Sequence, residues 1–213
     1  MTKSVVLPLM LCCLSSSAFA DRGAFTLEAG GGGSGLVVPA PWANPRRSTP
    51  SFAGLAVAGV RYAWSNRLEL TLNGFYEPPV IEFHANSTVE TDNGAFEGTL
   101  RHRLVRFGAL AGVRAVFGMV WRLVLGVEAG WSHRGYSELQ HIDVANPDGP
   151  ADYGLALPSF TADNFLLAPS VGLEWAAGDH WSVSLVPRLH LLIGPEPTFA
   201  VLLPLTLSWS WYL

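Results

Sequence analysis

Residues 68–77 read LELTLNGFYE, and large apolar side chains alternate along them with polar ones. Successive side chains of an extended strand point to opposite faces, so this stretch has one apolar and one polar face. The apolar face carries Leu68, Leu70, Leu72 and Tyr76, and the polar face carries Glu69, Thr71, Asn73 and Glu77. The stretch predicts a β-strand between an apolar and a polar environment.

The same alternation recurs in segments of about ten residues, separated by turn-forming residues. Three hairpins are predicted, with tight turns at Ser65-Asn66, at Gly118 and at residues 177–179. The two ends of the chain, residues 25–29 and 199–213, supply the closing pair. The count is eight strands, each adjacent in sequence to its neighbour, which is typical of an antiparallel up-and-down barrel.

Composition decides which face points outward. Hydrophobic residues make up 49% of the 213 residues and charged residues 14%, too few charges for the surface of a soluble barrel. The polar face consists of glycine, serine, threonine and isolated charges, which suit the narrow interior of an eight-stranded barrel. We therefore predict an all-β fold: an eight-stranded antiparallel up-and-down transmembrane β-barrel.

The first 20 residues have the features of a secretory signal peptide. Lys3 precedes an apolar stretch at residues 5–14, and the segment ends in Ala-Phe-Ala at residues 18–20. The apolar stretch is too short for a membrane-spanning helix, which needs about 20 residues. The predicted domains are a cleaved signal peptide at residues 1–20 and an outer-membrane barrel at residues 21–213.

Charge and cysteine content narrow the function. The chain has 13 basic and 17 acidic residues and a net charge of −4, which argues against nucleic acid as a partner. Both cysteines, Cys12 and Cys13, lie in the signal peptide, so no thiol, disulfide or cysteine-bound metal is expected after cleavage. No cofactor is predicted.

The connections alternate between short and long. The short turns lie on the side of both termini, and long polar loops are predicted at residues 38–50, 78–99 and 133–163. The remaining connection on the side of the long loops, residues 194–197, is short. Bacterial outer-membrane barrels have short periplasmic turns and longer external loops. We therefore predict the cell outer membrane as location, with both termini periplasmic.

Aromatic residues lie beside the short turns and the chain end, where they form a predicted girdle at the periplasmic interface. The girdle consists of Tyr62, Trp64, Phe117, Trp121, Trp175, Trp181, Trp209 and Trp211. Tyr76, Trp131 and Phe199 are predicted at the opposite interface.

Prolines and glycines mark irregular places in the predicted strands. Pro169, Pro187 and Pro204 fall within strands, and we expect bulges or weakened pairing there because proline has no N–H to donate. The glycine run at residues 30–33 is not a phosphate-binding loop, since no Gly-Lys-Ser/Thr sequence follows. Close strand approach or strong curvature is expected there.

The charged residues of the polar face are predicted to fill the lumen. An isolated ion out of water costs several kcal/mol, so we expect bridges between arginines and carboxylates. Two roles remain open: a network that fills and rigidifies the barrel, or a narrow conduit gated by exchange of ion-pair partners. The predicted lumenal set is Glu28, Arg61, Glu69, Glu77, Arg106, Arg114, Arg122, Glu128, Glu174, Arg188 and His190.

This pattern resembles the small eight-stranded bacterial outer-membrane β-barrels, the group that includes the OmpA transmembrane domain and OmpX-like proteins. The resemblance covers residues 25–213 and rests on the alternation and on the last strand. Trp209, Trp211, Tyr212 and Leu213 resemble the signal that the barrel-assembly machinery reads, although that signal usually ends in phenylalanine. The resemblance implies contact with outer-membrane lipid and lipopolysaccharide, and with the assembly machinery during biogenesis.

Two groups of side chains were weighed as reactive sites. Lipid A deacylases of this barrel size have a His-x-Ser pattern, but two residues separate His84 from Ser87, so no catalytic role is predicted. Several residues of the third loop could bind a divalent cation, but they are good turn-formers without EF-hand spacing, and no metal site is predicted. They are His133, His141, Asp143, Asp148 and Asp152.

The predicted function is non-enzymatic. We expect an integral outer-membrane protein with a structural or partner-contacting role, carried by the loops at residues 78–99 and 133–163. An envelope or surface protein would be the partner. The alternative is a narrow pore for ions or small solutes, gated by the lumenal arginine and glutamate pairs. A lipid-modifying enzyme is a third hypothesis without a convincing catalytic triad.

Overall fold

The computed structural model describes residues 22–39, 48–91, 94–142, 159–194 and 197–212. The predicted signal peptide and Leu213 lie outside these ranges. Within them, no helix has the length and apolar character required to span a membrane. The strands are β1 (Ala24–Pro39), β2 (Ser48–Ala63), β3 (Leu68–Thr91), β4 (Gly94–Phe117), β5 (Trp121–Ile142), β6 (Phe160–Ala176), β7 (Trp181–Leu185), β8 (Arg188–Ile193) and β9 (Thr198–Tyr212).

The strands form one closed antiparallel barrel. Each of β1 to β6 pairs with the next strand in sequence, and β1 also pairs with β9. Both β7 and β8 pair with β6 on one side and with β9 on the other, so they are two halves of one interrupted strand. The predicted eight-stranded antiparallel barrel is therefore confirmed, and its closure leaves no open sheet edge within the wall.

The interruption coincides with Pro187. Pairing is weakened there, and ladder pairs are also missing where Pro169 faces β8 and where Pro204 faces the gap between β7 and β8. The Val171 N–H still donates to the Pro187 carbonyl at 3.3 Å. The register is the same on both sides of the gap, so the prediction is confirmed as weakened pairing, and none of these prolines forms a bulge.

The two faces of the wall follow the predicted alternation. On β3, Leu72 is 56% exposed, whereas the adjacent Asn73 is 3% exposed and points into the barrel. The two ends of the barrel have different connections. The turns at residues 64–67, 118–120 and 177–180 lie at the end that also contains the start of β1 and the end of β9, which we call the turn end. The opposite end is called the far end.

One of the predicted long loops is mostly strand, and the other two are strand at their ends. The prediction of a loop at residues 78–99 is wrong, because β3 continues to Thr91 and β4 starts at Gly94. The prediction at 133–163 is wrong for residues 133–142 and 160–163, which belong to β5 and β6, and that at 38–50 is wrong at both ends, which belong to β1 and β2. Backbone pairing continues in these segments although the apolar alternation stops. A strand that extends beyond an apolar environment needs no apolar face on its outer side.

The inner face contains an apolar layer that the alternation did not predict. Phe75 is 5% exposed and points inward, as do Leu104 and Leu110. These side chains belong to one buried cluster. The cluster lies closer to the far end than the inward-facing residues of the turn-end half do. Its other members are Leu36, Leu55, Val57, Tyr136, Leu166, Ala168, Leu192, Ala200 and Leu202.

The glycine run on β1 allows a close approach to β9. A methyl group on Gly30 would collide with the carbonyl oxygen of Leu205, and one on Gly32 with that of Leu203. Gly33, which points outward, has nothing within 4 Å of such a group. The predicted close strand approach is therefore observed at the inward-facing glycines of the run.

Candidate functional site

The inward-facing charges converge in the turn-end half of the lumen. All of the predicted lumenal side chains lie there or just beyond it. Ten are buried, and Arg122 at the mouth keeps 21% of its side chain exposed. Each position follows from strand alternation, which turns every second side chain inward. Five arginines and five glutamates in this set balance in formal charge.

Glu174 on β6 is the centre of this network. It is 1% exposed, and its carboxylate accepts hydrogen bonds from Arg61 Nη1 at 2.8 Å and Arg114 Nη2 at 2.9 Å. Its second oxygen accepts from Arg122 Nη1 at 3.1 Å. Three arginines from three strands thus share one carboxylate, and the short charge-assisted bonds tie β2, β4 and β5 to β6.

Glu69 and Glu28 extend the network around the lumen. Glu69 pairs with Arg114 Nε and, at 3.5 Å, with Arg61 Nη1. Glu28 lies 3.2 Å from Arg61 Nε and 3.5 Å from Arg188 Nη2. Arg61 therefore contacts three carboxylates, which keeps its charge compensated although it is 3% exposed.

Glu128 completes the network on the side of β5. Arg188 Nη1 lies 3.5 Å from its Oε2 atom, while Thr71 Oγ1 and Asn73 Nδ2 donate to Oε1 at 2.7 and 2.5 Å. A buried carboxylate needs such partners because desolvation is costly. Neutral donors from β3 thus supplement the arginine on β8.

A separate ion pair lies nearer the far end. Both Nε and Nη2 of Arg106 donate to the Glu77 carboxylate, the first at 2.8 Å, in a two-pronged contact. The Arg106 guanidinium also lies 5.1 Å from the centre of the Phe75 ring. This pair is buried against the apolar cluster and, within the described residues, forms no ion pair with the network around Glu174.

His190 is buried in the same region. Its ring centre lies 4.9 Å from that of Phe75, edge to face, and neither ring nitrogen has a hydrogen-bond partner in the described part of the chain. Arg134 was missed by the sequence analysis because residues 133–163 were predicted as a loop. It is fully buried, shares the inward parity of β5, and its Nη1 donates to the Tyr136 hydroxyl at 3.2 Å.

Space in the lumen is uneven. A cavity of about 420 Å3 opens at the turn end and is lined by Thr26, Ser182 and Ser210 together with charged residues of the network. The void beside Glu28 and Glu128 measures about 20 Å3, which accommodates about one water molecule. Beyond that void lies the apolar cluster. The described lumen is thus a vestibule closed first by ion pairs and then by apolar side chains.

Solved structures share this architecture. OprG, an outer membrane protein from Pseudomonas aeruginosa, matches 90% of this chain over 97% of its own, with 10% identity and a TM-score of 0.55. Neisserial surface protein A matches 88% of this chain over 99% of its own, with 14% identity and a TM-score of 0.52. The chain has the fold of the small outer-membrane β-barrels.

A third structure with this fold carries a ligand. It is Ail, the attachment invasion locus protein of Yersinia pestis, in complex with the heparin analogue sucrose octasulfate. It matches 89% of this chain over 99% of its own, with 11% identity and a TM-score of 0.52. Neither a protein-family model nor a curated protein sequence matches the chain. The predicted resemblance to the small outer-membrane barrels is confirmed at the level of the fold.

Aromatic residues of this outer-membrane fold form two bands on the outer surface. At the turn end, the rings of Trp121 and Trp175 lie 6.3 Å apart, and those of Trp209 and Trp211 lie 5.2 Å apart. The other girdle residues, Tyr62, Trp64, Phe117 and Trp181, are half-buried or exposed at the same end.

The second band lies ten positions farther along three strands. Phe107, Trp131 and Phe199 correspond in this way to Phe117, Trp121 and Trp209. Ten residues of a strand tilted as in known barrels rise about 25 Å, the height of an outer-membrane apolar band. The distance between the two bands thus fits a single crossing of the apolar layer of the membrane.

Most of the candidate reactive side chains lie outside the described residues. The backbone of His84 and Ser87 lies in β3, but their side chains are outside the described set, as are Asp143, Asp148 and Asp152. His133 Nδ1 lies 2.9 Å from Asp163 Oδ1 on the outer surface. Within the described residues, no three or more histidine, cysteine or carboxylate side chains form a metal-binding group.

Proposed function

We propose that this protein is an integral outer-membrane barrel that holds a projecting sheet against a partner at the cell surface, with both termini in the periplasm. The projecting sheet is defined as the far-end portions of β3, β4 and β5. Those strands have 24, 24 and 22 residues, whereas crossing a bilayer takes about 9–11. This excess length is the observation that carries the proposal.

The projecting sheet is paired along most of its described length, with register shifts between Glu77 and Val80 and between His84 and Ser87. β3 and β4 pair up to Thr91 and Gly94, and β4 and β5 pair up to Thr99 and Ile142. Pairing of β3 with β2 ends at Tyr76 in the described part of the chain. An unpaired strand edge can accept an added strand through main-chain hydrogen bonds. A surface protein with an extended segment is therefore the partner class that this geometry favours.

The lumen argues against the alternative pore. Ion pairs leave a void of about 20 Å3 beside Glu128, and the apolar cluster lies beyond it in the described lumen. A conduit would require both layers to move. The tight Arg106–Glu77 pair and the shared Glu174 carboxylate instead favour a rigid plug that stabilises the wall.

Two further roles belong to the same proposal. The outward apolar surface contacts outer-membrane lipid, and the aromatic end of β9, at Trp209, Trp211 and Tyr212, is read by the barrel-assembly machinery. We also infer that the chain is not an enzyme, because two residues separate His84 from Ser87 where the deacylase pattern has one.

The test compares the unchanged chain with a shortened variant in which Asn-Gly replaces residues 85–98, just beyond the pair formed by His84 and Leu100. Fluorescent nanodiscs that carry either protein are titrated onto epithelial cells and onto cells of the same bacterium. We expect both proteins to show heat-modifiable migration on SDS gels, and only the unchanged chain to bind cells. Protease treatment of the cells should remove this binding, because the proposed partner is a protein.

Two results would contradict the proposal. Equal cell binding by the shortened variant would show that the projecting sheet is not needed for binding. A steady conductance in planar bilayers that changes in the Arg106→Gln variant would favour the pore instead.

A further inference from the structure

We propose that the vestibule at the turn end binds a neutral sugar, a mono- or disaccharide, and that Glu69, Arg61 and Ser182 supply its hydrogen bonds. The cavity measures about 420 Å3. Small-molecule sites have volumes of about 300–1,000 Å3, so a ligand of this size fits. In the proposed orientation the vestibule opens to the periplasm, which would be the source of the sugar. The binding itself does not depend on that orientation.

One carboxylate oxygen is available in the vestibule. Glu69 forms both of its ion pairs through Oε2, with Arg114 Nε and with Arg61 Nη1. Its Oε1 atom accepts no hydrogen bond from the described residues, although the side chain lines the cavity and is 6% exposed. A buried acceptor without a donor is costly. A ligand hydroxyl that donates to Glu69 Oε1 would therefore be bound favourably.

Arg61 and Ser182 add polar atoms to the same space. Arg61 Nη1 donates to Glu174 at 2.8 Å and its Nε lies 3.2 Å from Glu28, while its Nη2 has no partner in the part of the chain that the structure describes. Ser182 on β7 is also 6% exposed, and its hydroxyl forms no hydrogen bond to another described residue. An acceptor, a donor and a hydroxyl that can do both thus line one cavity.

The charges of the vestibule favour an uncharged ligand. Arginines and carboxylates line it side by side and are already paired with one another, so an anion and a cation would each meet like charge. An apolar ligand would leave Glu69 Oε1 and the Ser182 hydroxyl without partners. A neutral ligand with several hydroxyl groups satisfies both conditions. The charged lining residues are Arg61, Arg122, Glu69, Glu174 and Asp179.

A sugar ring matches this set of groups. Each hydroxyl has one hydrogen to donate and two lone pairs that accept, so neighbouring hydroxyls can donate to Glu69 and accept from Arg61. Thr26 and Ser210, whose hydroxyl oxygens lie 2.8 Å apart, add two more polar groups to the wall. A site built to hydrogen-bond hydroxyl groups rejects molecules that lack them, because its buried polar atoms would then be left unpaired.

An aromatic ring lies at the mouth of the vestibule. Tyr212, near the end of β9, lines the cavity and is 46% exposed. The ring of His180 lies 6.2 Å from the tyrosine ring, and its Nδ1 lies 3.0 Å from the Ser210 carbonyl oxygen, a contact that holds the histidine in place. The C–H groups of a sugar pack against the negative face of an aromatic ring. Tyr212 thus offers a packing surface for the outer part of the ligand.

The test is isothermal titration calorimetry on the protein in nanodiscs, with glucose, N-acetylglucosamine, maltose and trehalose as probes. We expect at least one of them to bind with a dissociation constant of about 0.01–1 mM, as is usual for ligands of this size. The Ser182→Ala variant should bind that sugar about five-fold more weakly, because one hydrogen bond is lost. Ser184→Ala is the matched control and should bind it unchanged. It removes a hydroxyl from the next inward position of β7, outside the vestibule.

The Ser182→Phe variant places a ring in the vestibule and should abolish the binding, while heat-modifiable migration shows that the barrel is folded. The inference is wrong if none of the four sugars binds, if Ser182→Ala and Ser184→Ala bind equally, or if Ser182→Phe keeps the binding. Choline and acetate should not bind. Tighter binding of either ion than of the sugars would show that the vestibule selects charge. The variant shortened at residues 85–98 retains the vestibule and should bind the sugar even if cell binding proves absent.

Discussion

Arg61 Nη1 donates to Glu174 Oε2 at 2.8 Å, although 113 residues separate the two in the chain. The contact joins β2 to β6 across the lumen, and both side chains are almost completely buried. Glu174 also accepts hydrogen bonds from Arg114 and Arg122. Removing its charge would therefore deprive three arginines of an ion-pair partner.

The Glu174→Gln variant should therefore be strongly destabilised, by about 3–5 kcal/mol, the usual cost of breaking a buried ion pair from one side. The Arg122→Gln variant is the matched control. Its side chain is partly exposed at the mouth, so its loss should cost about 1 kcal/mol or less. Urea unfolding in lipid vesicles, followed by tryptophan fluorescence, measures both. Equal effects would show that Glu174 is not the centre of the network.

The Phe75→Ala variant tests the apolar layer. Phe75 is 5% exposed and packs between Arg106 and His190, so its removal should cost about 3–5 kcal/mol and leave a cavity. The Phe107→Ala variant removes a ring from the outer surface, 39% exposed, and should cost less. The same urea titration compares them. A greater loss for Phe107→Ala would mean that the lumenal cluster contributes little to stability.

The Gly30→Ala variant tests the close approach of β1 to β9. A methyl group at this position collides with the Leu205 carbonyl, so the backbones must separate, at a cost of about 1–3 kcal/mol. The Gly33→Ala variant adds the same methyl group where nothing lies within 4 Å and should be tolerated. Folding yield on SDS gels after refolding into detergent checks this. Equal yields would contradict the tight contact at Gly30.

Alternation was sufficient to predict the charged side chains that face the turn-end half of the lumen, but not which of them pair. Glu174 and Arg61 share the inward parity that the sequence shows, yet their contact depends on the stagger and closure of the whole barrel. Arg134 was missed for another reason. It follows the same parity on β5, but the polar residues around it end the apolar alternation, so a strand was not predicted there.

The prolines show the same limit. Missing N–H groups at Pro169, Pro187 and Pro204 predicted weak pairing, because each removes a donor regardless of its neighbours. That all three meet in one part of the wall follows from the register among β6, β8 and β9. Register depends on long-range pairing and was not accessible from local pattern.

The vestibule should admit reagents from the turn end and exclude them from the far half. The two cysteines of the chain, Cys12 and Cys13, lie in the predicted signal peptide, so single substitutions in a protein that starts at Asp21 give clean labelling sites. The Ser182→Cys variant, in the cavity wall, should react with a charged thiol reagent, whereas Ser132→Cys, which is fully buried farther along the lumen, should not. Rapid labelling of Ser132→Cys in the folded protein would indicate an open lumen.

The orientation of the barrel in the cell envelope is most directly tested by labelling intact bacteria with a membrane-impermeant thiol reagent. Two single-cysteine variants are compared: Ser87→Cys in the projecting part of β3, and Asn66→Cys in the short turn between β2 and β3. The account predicts labelling of Ser87→Cys in intact cells, and of Asn66→Cys only after the outer membrane is permeabilised. The reverse pattern would contradict the orientation, and labelling of both sites only after permeabilisation would contradict a surface-exposed outer-membrane barrel.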